Sequence, residues 1–211
     1  MLPISETLTQ RAVARAVASR QEAYADELQR IVEATYRVIG KTGTVDPTLR
    51  DILRESKLST QAFYRYFTSK DELLLVLLDD GARRLEGYLR HRMERAGAPD
   101  GQVRAWVGGV LHQAADEGAA RRTRPFMANE ARLAERFPEE QQASVDLLVG
   151  LLVPAVSELA GGRPADARRD ADAVYHLAFG ALRRHLVRGT QPGRAEVEHL
   201  SRFALAGIGA T

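Results

Sequence analysis

Hydrophobic periodicity constrains this 211-residue chain more than any other feature. Nearly every segment repeats its apolar residues at helical spacing, and no sustained alternation marks a strand. Leu28, Ile31, Val32, Thr35 and Ile39 line one face of a long first helix, from about Thr9 to Gly40, which GKTGTVD interrupts. Asp46-Pro47 predicts the start of a short second helix, with Asp46 as cap and Pro47 at the first position, where no N–H is needed. Leu49, Ile52 and Leu53 are its inward residues. Ser59 is the expected cap of a third helix. Ser69, with Glu72 three residues on, forms the capping box of a fourth that runs to about Arg95.

Beyond GAPDG the periodicity predicts further helices around Val103–Leu111 and Phe126–Leu133. Residues 139–160 are apolar on nearly every side, which predicts burial, with Pro154 as a kink. Helices at 166–189 and 193–208 close the chain. The fold class expected is all-α, with about nine helices. The apolar runs read as too short and too interrupted to span a bilayer, and MLPISETLTQ lacks a secretory pattern, so a cytoplasmic chain is expected. The absence of cysteine removes disulfides, thiolate nucleophiles and cysteine-ligated zinc. Residues 1–70 hold 11 Lys and Arg against 8 Asp and Glu, so the small basic excess lies at the N-terminal end.

That end also carries KLSTQAFYRYFTSKDELL, residues 57–74, with Phe63, Tyr64, Tyr66 and Phe67 packed into five positions around Arg65. On a helical wheel Phe67 falls about 40° from Phe63, so both face inward; Tyr66 lies at the edge of that face and Tyr64 on the flank. Gln61 and Arg65 sit near the opposite pole, with Ala62 beside them. A short helix, a tight turn and a second short helix with a polar outer face make a helix-turn-helix, the arrangement that enters the DNA major groove. Arginine pairs with guanine and glutamine with adenine, while Ser59, Thr60 and the tyrosine hydroxyls suit phosphate oxygens. Lys70 adds a charge at the start of the fourth helix.

With these residues on the wheel, the stretch 28–74 resembles the DNA-binding domain of the TetR family of bacterial transcriptional repressors. The matching positions are Gly43, Thr48, Ile52, Leu58-Ser59, Phe63-Tyr64-Arg65-Tyr66-Phe67 and Ser69-Lys70-Asp71-Glu72-Leu73. The resemblance implies phosphate contacts from Thr48, Thr60, Tyr64, Tyr66 and Lys70, and base-facing Gln61, Ala62 and Arg65. Two positions depart from the pattern. Lys57 stands where the turn usually has glycine, which calls for φ > 0 at about 1 kcal/mol. Leu53 stands where alanine is usual, implying wider packing between the second and third helices.

The domain reading is an arm or helical extension over 1–20, a helix-turn-helix domain over 21–70, and a ligand-binding and dimerisation domain over 71–211. Trp106, Phe126, Met127, Tyr175 and Phe179 are candidates for lining an apolar ligand cavity, with plain core packing the competing reading. His112, Asn129 and His176 are the polar candidates for orienting that ligand. The alanine-, glycine- and leucine-rich stripes at 166–189 and 193–208 suit a four-helix homodimer interface, and by resemblance this is where the family dimerises. No catalytic, metal or cofactor site is expected: His-Glu-x-x-His is absent, and the adjacent Asp79 and Asp80 point in different directions on a helix. The rival readings are a helical enzyme or metal-binding bundle with a vestigial helix-turn-helix, and a protein-interaction bundle.

Overall fold

The structure, a computed structural model, describes residues 8–161 and 164–209. These form ten helices and no strand: α1 Leu8–Thr42, α2 Leu49–Ser56, α3 Thr60–Tyr66, α4 Lys70–Ala96, α5 Pro99–Ala115, α6 Glu117–Ala128, α7 Glu130–Arg136, α8 Pro138–Leu159, α9 Pro164–Arg188 and α10 Arg194–Ile208. The tenth helix arises because the segment expected as one helix around Phe126–Leu133 is two, broken at Asn129. The first of these starts early, since the Asp116 carboxylate accepts the Ala119 N–H at 2.7 Å and caps α6 there. The described part of residues 1–20 is helical and continuous with α1; residues 1–7 of the expected arm lie outside the described residues.

The chain divides into two compact units. One comprises the residues up to Thr42 with Asp46–Leu73; the other comprises Gly43–Val45 with the chain from Leu74 onward.

In the first unit α1 packs on α2 and α3. Ile31, Ala34, Val38 and Ile39 of α1 are buried with Ile52 of α2 and with Phe63 and Phe67. A helix of two turns does not persist alone, because nucleation costs more than so few hydrogen bonds return. Burial of the two phenylalanine rings, at about 1.5–3 kcal/mol each, is what holds α3 in place. Polar ties supplement this packing. Arg30 Nη2 donates to the Ser56 carbonyl at 2.9 Å, and the Glu55 carboxylate accepts from Arg37 Nε at 2.9 Å and Lys41 Nζ at 2.8 Å. Its lysine partner first, then its arginine partner, hold the Glu55 carboxyl below the ordinary range. Helix α2 begins two residues later than Asp46-Pro47 suggests. Thr48 is the cap, its hydroxyl accepting the Asp51 N–H at 3.2 Å, and Asp46 instead forms an ion pair with Lys70.

The second unit is built around α5, whose Val103, Trp106, Val107, Val110 and Leu111 are buried among α8, α9 and α10. Trp106 Nε1 donates to the Leu148 carbonyl at 3.2 Å, tying α5 to α8. Gly109 lets α4 approach α5: a Cβ there would stand 2.5 Å from Leu89 Cδ2. Helix α8 departs from expectation in two ways. With 22 residues and an 18-residue window of mean hydropathy 1.4 it is, by length and composition, long and apolar enough to cross a membrane. Nor is it buried all round. Leu148, Val149, Leu152, Ala155 and Val156 enter the core, whereas Leu147, Leu151 and Val153 are half-buried and Gly150 and Pro154 exposed. Its apolar composition exceeds what one core face requires, so apolar residues spill onto the flanks.

Candidate nucleic-acid interface

The turn into α3 is set by backbone conformation and one cap. Lys57 ends α2 in the left-handed region, at φ 57° and ψ 35°, and is the one non-glycine residue with positive φ among the described residues. Two residues on, Ser59 Oγ accepts the Ala62 N–H at 3.1 Å and starts α3. The far end is fixed by Ser69 Oγ, which accepts the Glu72 N–H at 3.2 Å. The capping box closes one residue further back than its usual form: Glu72 Oε2 accepts from the N–H of Thr68 at 2.6 Å and from its hydroxyl at 2.8 Å. Those bonds, the backbone one foremost, hold the Glu72 carboxyl below its ordinary range.

Helix α3 therefore presents a defined outer face. Phe63 and Phe67 point inward, 1% and 2% exposed, with ring centroids 5.3 Å apart. Tyr64 is 57% exposed and meets the Phe63 ring edge-on at 5.4 Å. Gln61, Arg65, Ser59, Thr60 and Thr48 are exposed. Ala62 is not on that face: it is 6% exposed. It stands about 100° from Phe63 on the flank opposite Tyr64, and that flank is covered while the tyrosine's is open.

Two cations of the surface, Lys70 and Arg65, are engaged within the unit. Lys70 pairs with Asp46. Arg65 Nη1 lies 3.0 Å from Glu27 Oε2, and the same oxygen accepts the Tyr66 hydroxyl at 2.6 Å. The Arg65 guanidinium carbon stands 5.5 Å from the Tyr24 ring centroid and 5.9 Å from that of Tyr66, and the two rings meet edge-on at 6.1 Å. Partial burial and the bond to Glu27 push the Tyr66 hydroxyl pKa up. Tyr24 and Glu27 escaped the sequence reading. Their signal was there, since 24, 27, 28 and 31 follow helical spacing and share the face that carries Leu28 and Ile31 toward α3.

In the second unit the ligand candidates separate. Trp106 and Tyr175 are buried and Phe179 half-buried. Tyr175 stacks on Phe179 at 4.2 Å, and Trp106 lies 6.4 and 6.3 Å from the two rings. Burial pushes the Tyr175 hydroxyl pKa well up. Met127 is partly buried against the same core and Phe126 is half-buried. His112 is exposed and stacks on Tyr88 at 6.0 Å, while His176 is exposed and meets Tyr175 edge-on. Asn129 Nδ2 donates to the Pro125 carbonyl at 2.8 Å, at the break between α6 and α7. Asp116, four residues from His112, is occupied as the α6 cap.

Comparison with known proteins places this geometry. Residues 31–77 match the model for bacterial regulatory proteins of the tetR family. The HTH-type transcriptional regulator BetI of Brucella suis biovar 1 is 30% identical over 77 residues, a stretch that spans 36% of this chain and only 39% of that relative. Among solved structures, a TetR transcription regulator from Haloarcula marismortui superposes with a TM-score of 0.69 at 21% identity, covering 89% of this chain and 98% of its own. The fatty acid degradation regulator FadR from Bacillus halodurans gives 0.66 at 18% identity, covering 88% and 97%. At those identities the two structures show that the fold is shared.

Proposed function

We propose, from the match of residues 31–77 to the model for tetR-family regulatory proteins, that this chain is a transcriptional regulator of that family. In this reading it represses by binding a palindromic double-stranded DNA operator as a homodimer, and a small apolar effector releases it. The observation that carries the reading is α3: two turns, pinned by Phe63 and Phe67, with Gln61, Tyr64 and Arg65 held outward behind a capped turn. Arg65 and Gln61 are assigned to base edges. Thr48, Ser59, Thr60, Tyr64, Tyr66 and Lys70 are assigned to phosphates, with Lys70 sharing its charge between DNA and Asp46. Ala62 then contributes a close-packed flank, with no base contact of its own.

One such module makes too few contacts for tight specific binding, and two modules spaced to successive half-sites would supply them. The last two helices suit the pairing. Their outer faces expose Ala173, Gly180, Val187 and Gly207, with Phe203 63% exposed, beside a shallow apolar groove between α9 and α10. A second copy would cover this surface. For the effector, the packed rings of Trp106, Tyr175 and Phe179 give an aromatic wall. The site of action is the cytoplasm, where the operator is. A binding shift against DNA flanking the chain's own gene, repeated across salt concentrations, tests the reading. Binding that weakens steeply with salt and is retained on one flanking sequence supports it, and salt-independent or absent binding refutes it.

A further inference from the structure

The cluster around Glu27 ties α1 to α3 beside the phenylalanine core. It joins the middle of α1 to the one arginine on the outer face of α3. A single carboxylate oxygen accepts from Arg65 Nη1 at 3.0 Å and from the Tyr66 hydroxyl at 2.6 Å. The Tyr66 bond fixes the carboxylate, and the rings of Tyr24 and Tyr66 flank the guanidinium. Arg20 stacks on Tyr24 as well, its guanidinium carbon 5.9 Å from the ring centroid. The Arg65 side chain, otherwise a long and freely turning cation, is thus held at one nitrogen, and its charge is cancelled by its neighbour.

We propose that Glu27 is a positioning residue that sets sequence specificity: it withholds Arg65 from phosphates at arbitrary sequences and keeps the remaining guanidinium donors aimed at one base edge. The inference rests on the DNA-binding reading above. A phosphate captures an arginine that can swing to it, whereas a base edge rewards an arginine that is already aimed, because less side-chain freedom is lost on contact. The neutral pair also adds nothing to the sequence-independent attraction, which grows with each cation free to displace a counterion.

The test compares wild type, Glu27→Gln, Arg65→Ala and the double variant on two probes: a duplex selected by the wild-type protein from a random pool, and a random-sequence duplex of equal length. Glutamine keeps an acceptor for the Tyr66 hydroxyl and removes the charge. Releasing one cation to phosphate raises random-duplex affinity about eightfold at 0.1 M monovalent salt and steepens the log–log salt slope by about 0.9. The ratio of selected to random affinity falls, because the selected duplex gains less. In the Arg65→Ala background the same Glu27→Gln change gives little or no gain, since it acts through the arginine. Should Glu27→Gln lack a cooperative melt, Glu27→Ala takes its place with the same expectation. Unchanged random-duplex affinity overturns the proposal. So does an equal gain with and without Arg65, which would make Glu27 an ordinary surface charge. Failure of the wild type to bind either probe would instead refute the regulator reading itself.

Discussion

Lys57 offers a test in which the sign of a stability change is fixed by the backbone. At φ 57° its Cβ crowds the following carbonyl, at a cost of about 1–2 kcal/mol that glycine escapes. Glycine, however, loses more chain entropy on folding, by about 0.4–1 kcal/mol relative to alanine. The difference leaves Lys57→Gly more stable than Lys57→Ala by about 0.5–1 kcal/mol. Alanine is the right reference because it loses the same charge and retains the same Cβ. For a chain of this size such a gain corresponds to a rise in Tm of about 1–4 °C. Parallel thermal and urea melts of the two variants provide the measurement. At an ordinary helical position the order would be reversed, with glycine the weaker by about 0.5–1 kcal/mol. If Lys57→Gly melts at or below Lys57→Ala, the turn is not in the strained conformation and the reasoning is refuted.

Two further expectations follow from local geometry. Gly109→Ala places a methyl 2.5 Å from Leu89 Cδ2 on a fully buried side chain, at about 1–3 kcal/mol, and helix propensity offsets about 0.5–1 kcal/mol of this, so urea denaturation should show a net loss of about 0.5–2 kcal/mol. The acid limb of stability should depend on Glu72. Its folded-state pKa is lowered, so its contribution is fully present above the ordinary carboxylate value of 4.5 and is lost as pH falls through the lower folded value. Glu72→Gln should therefore lower Tm at pH 7 and flatten its decline below about pH 4.5, so that variant and wild type converge as the pH falls.

Much of the first unit was legible because local signals agreed with one another. The period of 3.6 placed Phe63 and Phe67 inside and Gln61 and Arg65 outside, and the Ser59 and Ser69 caps stand where the sequence put them. Lys57 was legible by its departure: a non-glycine at the turn position had to accept positive φ, and it does. Asp46 misled because Asp-Pro is a sound helix start in isolation, but Thr48 caps reciprocally with Asp51 and leaves Asp46 to Lys70. A wheel also treats flanks as equivalent, so it could not tell covered Ala62 from exposed Tyr64. In the second unit, aromatic residues at helical spacing gave no phase between elements. The contact of Trp106 with Tyr175 and Phe179 depends on how α5 meets α9, which the sequence of neither helix states alone. Likewise Asp116 stands one turn from His112, but its carboxylate is taken up as the cap of α6, which the spacing alone does not show.

The central claim is that α3 reads base sequence through Arg65. Its most direct test is the affinity of Arg65→Ala for the selected and the random duplex, with helicity and oligomeric state monitored alongside. The account predicts a loss of about 1–3 kcal/mol on the selected duplex, a much smaller loss on the random one, and an unchanged fold and dimer. An equal loss on both duplexes would make Arg65 a phosphate contact. No loss on either would remove α3 from the interface and contradict the account.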